Sequence, residues 1–277
     1  MTLPNRNRCF KAGIAFSAAA LVMVIVSIIV FHASFRDALN GSGSRAAGII
    51  QRIIARFLEP SAYVPFAATI GSVLYSLLGI LLIYNYFEKT HSPEILYVGL
   101  FILSFVFESI RVMVPLKIYA NLPNIYLLNS SRILFFGRYF GLFSLFAVSI
   151  CTAGLNIQKQ ENIVLICAAT SLIFALGIPV DGLSWDTTLV MLNDFSSSFL
   201  VIQVGVIVIS IASFLVAAYT RGSREYIIIG AGAFMTYTGR NIFFTSDTWA
   251  SLIPGFLILC FGSWLMCNRY HRLYLWL

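Results

Sequence analysis

Residues 12–33, AGIAFSAAALVMVIVSIIVFHA, carry no charged side chain. At 1.5 Å per residue a helix of that length reaches about 33 Å, which matches the roughly 30 Å hydrocarbon core of a bilayer. Apolar runs of similar length recur at roughly 64–86, 95–116, 133–151, 162–180, 198–218, 226–244 and 249–267. The fifth of the eight, opening at Asn162, is the weakest, because Pro179 and Asp181 cut it short. A water-soluble core has no use for so many runs. Composition agrees: 59% of the 277 residues are hydrophobic and 10% charged, against about 45–50% and about 25% in soluble domains. A mean hydropathy of +0.88 is too high for a single anchor on a soluble body. The predicted fold class is therefore all-α, a polytopic transmembrane helix bundle of about eight spans.

Arg6, Arg8 and Lys11 precede the first run. That layout fits a secretory signal, but the run is longer than the roughly 7–15 apolar residues of a signal h-region. Residues 1–33 are thus predicted to form an uncleaved signal-anchor helix with its N-terminus in the cytoplasm, with cleavage near Ala33 as the alternative. Residues 34–63 differ in texture. Gly41, Ser42, Gly43 and Ser44 read as a flexible stretch. After them Ile49, Ile50, Ile53, Ile54, Phe57 and Leu58 recur at helical spacing, with Arg45, Arg52 and Arg56 off that stripe. Too short and too charged to span, this extracytoplasmic amphipathic helix is expected to lie on the outer leaflet or to cap the bundle. Residues 64–277 complete the chain as a seven-helix membrane bundle with a short cytoplasmic tail.

With the N-terminus inside, the cytoplasmic segments carry Arg6, Arg8, Lys11, Lys89, Lys159, Arg221, Arg224, Arg269 and Arg272. The outer segments carry Arg36, Arg45, Arg52, Arg56, Lys117 and Arg132, four of them in the segment with the amphipathic helix. The positive-inside bias places both termini in the cytoplasm, which requires an even number of spans.

Charges inside hydrocarbon cost about 2.5–3.5 kcal/mol each on insertion scales, so each one asks for a reason. In this topology Glu108 and Arg111 fall in the outer half of the third span. Arg138 lies just over one turn into the fourth span, and Arg240 lies near the outer end of the seventh. Glu108 and Arg111, three residues apart, share a face and are expected to pair, leaving two arginines without an acid. Gln203, Tyr237 and Asn241 enter the same layer with neutral hydrogen-bonding groups. Together these seven residues predict an outward-facing basic pocket suited to a carboxylate, a phosphate or a lipid headgroup, whose oxygens match the arginine fork. The alternative is structural: arginines near helix ends snorkel, and a Glu–Arg network fastens helices.

Other constellations carry less. The net charge of +7 does not indicate nucleic acid, because the basic residues sit at the ends of apolar runs, where lipid headgroups account for them. Cys9, Cys151, Cys167, Cys260 and Cys267 lack metal or disulfide spacing, and His32, His91 and His271 lie at different membrane edges. Asp181, Asp186 and Asp194 share an outer loop with Trp185 but lack the calcium-loop pattern. Gly230 and Gly232 read as helix-packing positions. No metal, no cofactor and no catalytic set is expected.

The stretch IYNYFEKTHSPEILYVGLFILSF, residues 83–105, has a tyrosine-rich helix end, a brief charged loop and an aromatic restart. With the anchor and the outer segment before it, this stretch resembles the junction between the first two helices of the seven-helix membrane modules of bacterial sensory proteins. The resemblance extends over residues 64–267 and rests on spacing and texture. It implies a sensor. The sequence departs from those proteins in showing no kinase, cyclase or phosphatase domain after the last helix, so output is expected to pass through a partner. The expected function is a sensor or accessory subunit of a bacterial inner membrane; a transporter component is the alternative, and a lipid enzyme comes third. Expected partners are membrane lipid and another membrane or cytoplasmic signalling protein, with no nucleic acid.

Overall fold

A computed structural model of the chain describes residues 3–39, 57–61, 63–87, 92–154, 160–177, 186, 188–190 and 196–275. Among the described residues the regular structure is helical throughout, in eight rods. The first two are α1 (Leu3–Leu39) and α2 (Val64–Phe87). The third is continuous but changes its winding, from α3 (Pro93–Leu103) through a 3₁₀ stretch (Ser104–Val112) to α4 (Met113–Ala120). Five more follow: α5 (Asn124–Thr152), α6 (Gln160–Gly177), α7 (Ser196–Arg221), α8 (Glu225–Phe244) and α9 (Trp249–Leu275). Seven rods are long and apolar enough to cross a membrane. The chain thus has the helices of a multi-pass integral membrane protein. Large apolar side chains such as Ile29, Leu165, Ile173 and Val201 stand exposed along them, as lipid-facing surfaces do and water-facing ones rarely do on this scale.

The seventh rod, α8, falls short of that apolarity because Thr236, Tyr237, Thr238, Arg240 and Asn241 crowd its second half. Its averaged hydropathy hides a division by face: Thr236, Tyr237 and Arg240 are buried against neighbours, while Ile227, Phe234 and Ile242 are exposed. Hydropathy also blurs the ends of other rods. Helix α1 continues six residues beyond Ala33, and α5 starts at Asn124 rather than near 133, because Asn129 and Arg132 interrupt apolarity without breaking a helix. The stripe of residues 45–58 lies almost wholly outside the described residues, as do Asp181, Trp185 and Asp194.

Contacts at the rod ends sort into two groups. At one end Arg6 of α1 donates to the Phe87 carbonyl at 2.6 Å, and the His271 ring of α9 stands 5.4 Å from the Phe87 ring. Thr152 and Tyr270 hydroxyls meet there at 2.6 Å, and Arg269 pairs with Glu225 at 3.0 Å. At the other end the Ser61 amide, just before α2, donates to the Asp247 carbonyl between α8 and α9. The beginning of α1 and the end of α9 therefore share one end of the bundle.

The third rod runs through the most enclosed position, with Tyr97, Phe101 and Phe105 fully buried. Its 3₁₀ stretch has local causes at both limits. The Ser104 hydroxyl donates to the Phe101 carbonyl three residues back, competing with the α ladder. Pro115 has no N–H to give the Arg111 carbonyl four residues earlier. Three residues per turn then stack side chains at i and i+3 in register. The row Ser104–Phe107 lies against Gly137 and Gly141 of α5, where an added Cβ on either glycine would collide. The adjacent row is Phe105, Glu108 and Arg111, all buried.

Candidate functional site

Glu108 and Arg111 emerge from the 3₁₀ stretch, Arg138 from the middle of α5 and Arg240 from the second half of α8, and the structure brings all four together. Arg111 Nε lies 2.6 Å from Glu108 Oε2, an ion contact rather than an aligned hydrogen bond. On its other side the same carboxylate accepts from Arg138, Nε to Oε1 at 2.8 Å and a second guanidinium nitrogen to Oε2 at 3.3 Å. This corrects the expectation that Glu108 serves Arg111 alone: a carboxylate has two oxygens and room for two guanidiniums. Arg240 donates to the backbone carbonyl of Arg138, and Arg111 to the carbonyl of Phe244 at 3.2 Å.

A ring that sequence reasoning missed organises the arginines. The guanidinium carbons of Arg138, Arg240 and Arg111 stand 5.0, 5.2 and 5.6 Å from the centroid of Phe244. Each is within cation–π range, worth about 0.5–1 kcal/mol when exposed and about 2 when desolvated. The signal was present in the sequence, since Phe244 follows Arg240 by four residues and shares its helix face.

The site is enclosed. Glu108 is 1% exposed, Arg111 2% and Arg240 3%, while the Arg138 side chain keeps 17%. One carboxylate against three guanidiniums leaves two positive charges in excess. Arg240 Nε is buried with no hydrogen-bond partner among the described residues. Tyr237 and Tyr139 come close enough to Arg240 to interact electrostatically. Gln203 and Asn241 are half-buried, and neither side chain bonds to the cluster among the described residues. Helix α7, which carries Gln203, packs on both α5 and α8 and so flanks the seam between Arg138 and Arg240. Among the described residues no three His, Cys, Asp or Glu side chains gather as metal ligands would.

An interior of this kind can hold an anion: it offers excess positive charge, planar forks of N–H donors and a low-dielectric wall of phenylalanines. No protein-family model matches the chain, and neither a curated protein nor a solved structure does.

Proposed function

We propose that the protein is a multi-pass membrane sensor or accessory subunit whose arginine cluster recognises an anionic group, a carboxylate or a phosphate, inside the bundle. The observation that carries this reading is Arg240. It is buried, has no carboxylate partner among the described residues, and its Nε is unsatisfied. A buried group in that state is costly to maintain unless something binds it. In this reading the chain crosses a bacterial inner membrane eight times with both termini in the cytoplasm, and the cluster lies in the outer half of the bilayer. Arg138, the least buried member, is where a ligand enters. A partner protein carries the signal onward.

Thermal unfolding of the detergent-purified protein tests the site, with inorganic phosphate or acetate compared against chloride at equal ionic strength. Either anion is expected to raise the Tm of the wild type and to leave Arg240→Gln unmoved; saturation at 100 Kd is worth about 2.7 kcal/mol. No shift in the wild type would reduce the cluster to a fastener of helices. Solute uptake by vesicles containing only this protein would make it a transporter. Purification from native membranes with a signalling protein attached is the result expected of an accessory subunit.

A further inference from the structure

A second feature lies on the other side of α5. Between the 3₁₀ stretch, α5 and α6 runs an open groove of about 760 Å³, within the roughly 300–1,000 Å³ of sites that take drug-sized molecules. The groove exists because α6 presents Ala168, Ala169 and Ala175 where larger side chains would close its seam with α5. Phe107 and Phe136 line it, their rings packed edge to face at 5.5 Å. Its lining is almost wholly apolar except for Asn129 and Arg132, one helical turn apart on α5. Arg132 Nε is shielded and has no hydrogen-bond partner among the described residues.

The depth of Arg132 follows from its neighbours. Arg240 bonds to the Arg138 carbonyl, so these two residues share a level. Arg132 is six residues nearer the end of the bundle that holds the 121–123 turn, or about 9 Å at 1.5 Å per residue. Helix α8 ends at Phe244, four residues or about 6 Å beyond Arg240 in the same direction. Arg132 thus sits near the level at which α8 ends, which in the proposed topology is where helices leave hydrocarbon, while Phe136, Ala168 and Ala169 lie below it. An apolar trough with one guanidinium, its Nε unpartnered among the described residues, at the headgroup level has the polarity of a phospholipid set along the bundle.

We propose that this groove holds one acyl chain of a phospholipid with net negative charge, its phosphate on Arg132 with Asn129 beside it. At about 100° per residue Arg138 points away from the groove, so the two sites are separate and either can fail alone.

Native mass spectrometry of the full chain, released from micelles doped equally with phosphatidylglycerol and phosphatidylcholine, reads the proposal. The wild type is expected to retain the anionic lipid over the zwitterionic one by about tenfold, equivalent to about 1.4 kcal/mol. Arg132→Gln abolishes the preference and Arg132→Lys keeps it. Ala169→Phe, at an exposed position that does not disturb the core, lowers retention of both lipids. Equal retention by the wild type would overturn the proposal, as would a preference that survives Arg132→Gln. So would disulfide-linked dimers through Leu172→Cys in native membranes, since a second copy of the chain would then be the occupant.

Discussion

Glu108 decides the charge balance of the interior, because one carboxylate holds two of three arginines while the third leans on a backbone carbonyl and a ring. Removing one member of a buried pair costs about 3–5 kcal/mol, since the other charge is left uncompensated. Glu108→Gln is therefore expected to lower stability by that amount, read as a fall in the thermal midpoint in detergent. Arg138→Gln is expected to cost less, about 1–2 kcal/mol, because Glu108 keeps Arg111 and Arg138 is already partly solvated. The reverse order would mean that Arg138 is the anchor. At this scale the sequence was legible where hydropathy forces the issue: a charge deep in an apolar run must find company, and Glu108, Arg111, Arg138 and Arg240 did. The second pairing of Glu108 was not legible, because local spacing reveals an i,i+3 partner and not one thirty residues away. Gln203 was drawn in by depth alone, and depth does not fix which way a side chain faces.

Helix α8 owes its place to small residues. An added Cβ on Gly232 would meet the Gly262 carbonyl at 3.1 Å, and one on Gly239 would meet Leu259 Cα at 2.8 Å, so α8 and α9 touch backbone to backbone. Gly230 faces Phe214 of α7 instead. The reading of Gly230 and Gly232 as packing positions agrees with these contacts, but Gly239, Gly255 and Gly262 complete the seam and only the partner helix reveals them. Close approach of this kind drives helix association where lipid removes the hydrophobic incentive. Gly239→Ala is expected to destabilise by about 1–3 kcal/mol through overpacking. Gly205→Ala on α7 meets nothing within 4 Å and is expected to be neutral or to stabilise by up to about 1 kcal/mol through helix propensity. Paired unfolding curves for the two variants check both signs. The 3₁₀ stretch escaped the hydropathy pattern, which cannot tell three residues per turn from 3.6 over nine positions; Pro115, four residues after Arg111, was its one visible mark.

For the whole molecule, seven rods satisfy the length and apolarity of a membrane span and α8 does not, yet the charged cluster depends on α8 bringing Arg240 to the Arg138 carbonyl of α5. The rod ends place the beginning of α1 and the end of α9 together; the proposed topology, with both termini on one side, has an even number of passages and counts α8 among them. Single cysteines at Ser223 and at Thr245, on either side of α8 in a background free of the five native cysteines, test this directly with a membrane-impermeant maleimide. Labelling of Thr245→Cys in intact cells, with Ser223→Cys labelled only after permeabilisation, is the expected result. Equal labelling of both from outside would take α8 out of the membrane, and the buried arginine site with it.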